Sequence, residues 1–102
     1  MASPLGLLGL ARKAGRLQLG ASAVEQQFKQ GGAALLLVAS DASPSVARHA
    51  KQWAANSGVE IITIPDTKET FGRAMGRREC AVAVLTDQGF AQAYRKLITD
   101  PS

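Results

Sequence analysis

Hydrophobic and polar positions alternate along this chain with two periods, and the switches between them predict a succession of helices and strands. Ser3-Pro4 reads as a helix start, with serine as N-cap and proline in the first turn. Leu7, Leu10, Ala11 and Ala14 follow at helical spacing, with Leu5 and Leu8 broadening the stripe, and Gly15 closes it. Gly6 and Gly9 weaken this helix by roughly 1 kcal/mol each relative to alanine. Leu17-Gln18-Leu19 alternates as a short strand. Gly20 then opens a second helix. Ser22 and Glu25 stand in the Ser-x-x-Glu spacing of a capping box, Val24 and Phe28 share a face, and Gly31-Gly32 end the helix.

The apolar run over residues 34–40, bounded by glycines and Asp41, suits a strand covered on both faces. Ser43-Pro44 repeats the helix-start pattern. Val46, Ala47, Ala50, Trp53 and Ala54 then occupy one face, and Arg48, His49, Lys51 and Gln52 the other. Residues 59–64 read as a second strand closed by Pro65. Asp66-x-x-Glu69 predicts a capped short helix with Phe71 and Met75 inward, stopped by Gly76. Arg77-Arg78-Glu79 forms a charged loop before a strand over residues 80–85. Asp87 caps a last helix with Phe90, Ala91, Tyr94, Leu97 and Ile98 inward. Strands alternating with helices throughout predict an α/β domain with helices on both faces of one sheet.

At 102 residues the chain is expected to form a single domain, residues 1–102. Hydrophobic residues make up 46% and charged residues 20%, a balance that folds. No apolar run approaches the roughly 18 residues of a bilayer span. The first leucines follow no basic region, so no secretory signal is expected and the cytoplasm is the default location. One cysteine, Cys80, excludes an internal disulfide and a cysteine-cluster zinc site.

The net charge of +4 is unevenly spread. Residues 1–30 carry Arg12, Lys13, Arg16 and Lys29 against Glu25, and residues 68–78 carry Lys68, Arg73, Arg77 and Arg78 against Glu69. The remainder is net acidic. If the fold joins the two basic segments, they form a face suited to a polyanion, and the start of the second helix favours phosphate.

Catalytic chemistry is sparse. His49 is the one histidine and lies on the polar side of its helix, and Cys80 begins a strand with no activating base in view. Neither Gly-x-x-x-x-Gly-Lys nor Gly-x-Gly-x-x-Gly occurs, so no catalytic residue, metal or cofactor is expected and the chain does not read as an enzyme. The aromatic residues fall on apolar helix stripes, leaving no base-stacking strand. That pattern fits a folded RNA better than a single strand.

The runs Leu8-Gly-Leu-Ala-x-Lys13-Ala-Gly15-x-Leu17-x-x-Gly20, Leu36-Leu-Val-Ala-Ser-Asp41-Ala-Ser43, Phe71-Gly-Arg-Ala-Met-Gly76 and Asp87-x-Gly-Phe90-Ala resemble the bacterial YlxQ proteins, within the ribosomal protein L7Ae/L30e superfamily. The resemblance implies a three-layer α/β/α sandwich around a four-stranded mixed sheet. It also implies a small, non-enzymatic RNA-binding protein of the translation or ribosome-assembly machinery, expected to be monomeric. Kink-turn RNA is the family's typical ligand. The family's Gly-x-Asn-Glu-x-x-Lys signature falls on Gly20, Ser22, Ala23 and Gln26, so only the glycine is kept. Its second RNA loop falls on residues 76–80, here with Arg77-Arg78-Glu79. The RNA-binding residues so implied are Arg16, Gly20, Ala21, Ser22, Ala23, Val24, Gln26, Gly76, Arg77 and Arg78. The alternative is a protein-interaction module of the same fold that has lost the kink-turn site.

Overall fold

A computed structural model describes residues 3–99. Ser3 caps α1 (Pro4–Lys13), its side-chain oxygen accepting the Gly6 N–H at 2.9 Å. β1 (Leu17–Leu19), α2 (Ala21–Gln30), β2 (Leu35–Val38), α3 (Pro44–Ser57), β3 (Ile61–Thr63), α4 (Lys68–Ala74), β4 (Val82–Leu85) and α5 (Gln88–Thr99) follow in order. The strands form one sheet in the order β1-β4-β2-β3. β4 runs antiparallel to both its neighbours and β2 parallel to β3, which makes the sheet mixed.

Side-chain alternation along the central strands divides the core in two. Leu35 and Leu37 of β2, with Ala83 and Leu85 of β4, point to one face, where they meet Leu8, Phe71 and Tyr94 of α1, α4 and α5 and Met75 at the end of α4. Leu36, Val38, Val82 and Val84 point to the other, where Val24, Ala50 and Ala54 of α2 and α3 cover them. Both central strands are buried along their whole length, as their continuous apolar runs require. This is the three-layer α/β/α sandwich.

Two helix starts, those of α2 and α4, differ from their sequence patterns. Ser43 and Asp87 cap as expected: Ser43 Oγ accepts from Val46 N–H at 3.3 Å and Asp87 Oδ2 from Phe90 N–H at 3.0 Å. Ser22 does not. α2 begins at Ala21, Gly20 is the N-cap, and no side chain caps it. Gly20 donates its N–H to the Val82 carbonyl at 2.9 Å, continuing the β1–β4 ladder, and accepts from Val24 N–H at 2.9 Å. With φ at +92° it turns the chain from strand to helix in one residue, so Ser22 falls already inside the helix. At α4 the cap is Thr67, which accepts from Thr70 N–H at 3.2 Å. Asp66 is instead tied by its carbonyl, which accepts from the Ser40 N–H and hydroxyl.

Three predicted inward positions face out. α1 buries Leu8 and Ala11, with Leu5 and Leu7 beside them, which leaves Leu10 56% exposed and Ala14 exposed. Leu10 is about 200° round the helix from Leu8, so one face cannot hold both. Ile98 is 38% exposed near the end of α5, beyond the buried Ala91 and Tyr94. The strands are also shorter than their apolar runs, because β3 pairs with β2 over Ile61–Thr63 only and β4 joins β1 and β2 from Val82.

Candidate nucleic-acid interface

The two basic segments meet where β1 passes into α2. Gly20 ends the β1 ladder, and the loop of residues 76–80 enters β4 directly beside it. Arg77 Nη1 lies 3.9 Å from the position a Cβ on Gly20 would take. On α2, Ala21, Ser22 and Gln26 are exposed and Ala23 is half-buried, all in the first turns of a helix that no side chain caps. Arg77 and Arg78 are exposed, and so is Gly76, whose φ of +77° makes the loop's turn.

Gly72 determines where the loop sits. A Cβ there would come 2.3 Å from the backbone Cα of Glu79, so only glycine lets the loop lie against α4. Backbone bonds then fasten it, from Arg77 N–H to the Gly72 carbonyl at 2.7 Å and from Cys80 N–H to the Lys68 carbonyl at 2.9 Å. The arginine loop is therefore braced to a helix, which lowers the ordering cost of binding.

Two of the expected residues lie elsewhere. The Val24 side chain is fully buried in the core beneath α2, so it anchors the helix and offers no contact surface. Arg16 stands at the far end of β1, where its carbonyl accepts from Thr86 N–H at 2.9 Å. Four residue steps of extended chain separate it from Gly20, about 13 Å of strand. Two residues at this site escape a reading of the sequence. Arg12 from α1 places Nη1 3.2 Å from the Cβ position of Gly76, and Gly72 shapes the loop. A glycine in the middle of a seven-residue helix was the available clue to Gly72.

Cys80 lies under this junction, buried, with its thiol donating to the Val82 carbonyl at 3.3 Å. Burial pushes the thiol's pKa up, while the backbone at Val82 and Gly20 and the charges of Arg77 and Arg12 pull it down. Such a thiol stays protonated at neutral pH and packs as a small hydrophobe. The ion pairs of the described residues join Lys29 to Glu25, Arg73 to Glu69 and Arg95 to Glu60. None of them engages Arg12, Arg16, Arg77 or Arg78. Away from the site, the exposed His49 stacks on Trp53 with ring centres 6.1 Å apart, and Trp53 on Phe28 at 6.2 Å. Among the described residues no three His, Cys, Asp or Glu side chains gather as a metal site, and no helix is long and apolar enough to cross a membrane.

Comparison with known proteins agrees with the fold. The sequence profile of the ribosomal protein L7Ae/L30e/S12e/Gadd45 family matches residues 4–94. The RNA-binding protein YlxQ of Bacillus subtilis is 29% identical over 92 residues, spanning 90% of this chain and 91% of its own. A solved protein of unknown function from Bacillus halodurans superposes with a TM-score of 0.87 at 27% identity, over 98% of this chain and all of its own. A Giardia lamblia 15.5 kD RNA-binding protein superposes with a TM-score of 0.75 at 24% identity, over 93% of this chain and 84% of its own.

Proposed function

The chain belongs to the ribosomal protein L7Ae/L30e/S12e/Gadd45 family, and from that premise we propose that it is a non-enzymatic, cytoplasmic RNA-binding protein serving translation or ribosome assembly. Residues 1–102 act as one monomeric RNA-binding domain. Its ligand is a folded, kink-turn-like RNA held at the start of α2 and at the Arg77-Arg78 loop. The observation that carries this reading is the approach of the Arg77 guanidinium to Gly20, beside a helix start with no side-chain cap. Backbone N–H groups at such a start and a guanidinium with no carboxylate partner among the described residues suit phosphate oxygens.

Within the site the roles divide by chemistry. Gly20, with no side chain, lets RNA backbone approach the turn. Ala21, Ser22 and Ala23 present N–H groups, and Gln26 supplies a neutral polar side chain one turn on. Arg77 and Arg78 neutralise phosphates, Gly76 lets their loop turn, and Arg16 acts at longer range. The side chains at 22, 23 and 26 are too short or uncharged to read paired bases as Asn, Glu and Lys would. Recognition is accordingly directed by RNA shape and backbone. The same replacements favour a second reading, in which the fold serves as a protein-interaction module.

Electrophoretic shift against total cellular RNA over a salt series separates the two. About four phosphate contacts give a slope of log affinity on log salt near −3, roughly a hundredfold loss between 50 and 200 mM. Binding that is absent or indifferent to salt contradicts the RNA reading.

A further inference from the structure

Arg12 stands in the basic last turn of α1, where a cation suits the negative pole of the helix. The fold gives it a second setting. Its Nη1 occupies space next to the bare face of Gly76, 3.2 Å from where a side chain would begin, and Gly76 holds φ at +77°. The next loop residue, Arg77, reaches the other way, to within 3.9 Å of the equivalent point on Gly20. Two successive loop residues thus link the end of α1 to the start of α2 through guanidinium groups.

The buried Cys80 thiol lies under the same convergence, where the charges of both Arg77 and Arg12 act on it. Among the described residues, neither guanidinium has a carboxylate within ion-pair distance or a side-chain hydrogen bond. Cations gathered without an acid raise the local potential and draw an anion. The planar fork of arginine matches phosphate oxygens in a way that a lysine ammonium does not.

We propose that Arg12 and Arg77 together grip the phosphate backbone of the bound RNA at the Gly76 loop, one arriving from α1 and the other from the loop itself. This rests on the RNA-binding reading above and adds to it a residue of α1. Gly76 is then constrained twice, by its backbone angle and by a guanidinium where a side chain would stand. Lys13 is exposed and adjacent in sequence, so it is the matched control for bulk charge.

The test compares Arg12→Gln, Lys13→Gln and Arg77→Gln for binding to total cellular RNA, and titrates each free protein with inorganic phosphate while following the Gly20 and Gly76 amide resonances. Arg12→Gln and Arg77→Gln should each lower RNA affinity about tenfold, as expected for one charged hydrogen-bonded contact, and flatten the salt slope by about 0.7–0.9. Lys13→Gln should change affinity less than about twofold, as for diffuse surface charge. Arg12→Gln, unlike Lys13→Gln, should also raise the midpoint of the Cys80 13Cβ titration in the free protein. Equal losses for Arg12→Gln and Lys13→Gln overturn the proposal while leaving RNA binding intact. A parent that binds no RNA, yet whose Gly76 amide moves with phosphate only when Arg12 is present, overturns the RNA reading and retains the grip for a free anion. No movement in either arm overturns both.

Discussion

Gly72→Ala is the substitution in which local propensity and tertiary packing disagree most sharply. Inside a helix the change should stabilise by about 0.8–1.0 kcal/mol. The new Cβ, however, would stand 2.3 Å from Glu79 Cα, 2.6 Å from its carbonyl carbon and 2.7 Å from its nitrogen. Non-bonded carbons rest at about 3.5–4.0 Å, so the Glu79 backbone must withdraw by more than about 1 Å. That segment is held by the Arg77–Gly72 and Cys80–Lys68 backbone bonds. Overpacking of this kind costs roughly 1–3 kcal/mol, and each weakened bond adds roughly 0.5–1.5 kcal/mol. The overlap wins, with a net loss of about 2–3 kcal/mol. For a domain of this size that lowers the melting temperature by roughly 10–20 °C. Thermal and urea melts followed by circular dichroism measure it. Gly9→Ala is the control, because nothing lies within 4 Å of its Cβ position, and it should stabilise by about 0.5–1 kcal/mol. If Gly72→Ala is as stable as the parent, the loop does not lie against α4 as described, and the placement of Arg77 fails with it.

Three further outcomes follow from the same geometry. Ser22→Ala should change stability by less than about 0.5 kcal/mol, as for an exposed position without a cap, while Ser43→Ala and Thr67→Ala each cost about 1 kcal/mol; urea midpoints distinguish them, and a costly Ser22→Ala would restore it as a cap. Burial, with a contribution from Asp66, pushes the Tyr94 phenol from 10.0 up to about 12. The unfolded chain therefore ionises first, so stability is intact below pH 10 and falls between pH 10 and 12 by roughly 2–3 kcal/mol. Tyr94→Phe should flatten that decline in melts across this range, and an unchanged decline contradicts the assignment. Finally, Ser22→Asn, Ala23→Glu and Gln26→Lys together should raise affinity for a kink-turn RNA at least about tenfold over the parent, taking roughly 1–3 kcal/mol for each good base contact. An unkinked duplex measured alongside should gain little, and no gain for the kink-turn would mean that backbone and loops carry specificity.

What the sequence made legible were features decided within a few residues. Ser3, Ser43 and Asp87 each cap a helix because the oxygen and its N–H partner lie within one turn. The burial of β2 was visible in its unbroken apolar run. Ser22 was misplaced because the start of α2 is decided by Gly20 donating to Val82, more than sixty residues along the chain. Leu10 reads as core by spacing alone, yet the packing of Leu8 and Ala11 fixes which face of α1 turns inward. At the site, Gly20 and the arginine loop could be named in advance. Arg12 and Gly72 could not, because their roles exist only once Gly76 and Glu79 arrive beside them. Arg16 shows the reverse: near Gly20 in sequence, it is carried off by the length of β1.

In the proposed mode of binding, RNA meets this protein where α2 begins and where the Arg77 loop enters β4. Backbone amide shifts recorded while a structured RNA fraction is added test it most directly. The largest changes should fall at residues 20–26 and 76–79, weakening as salt is raised, with α3 and α5 nearly unmoved. Changes concentrated on the His49–Trp53 face of α3 or along α5, with the Gly20 and Gly76 amides still, would contradict it.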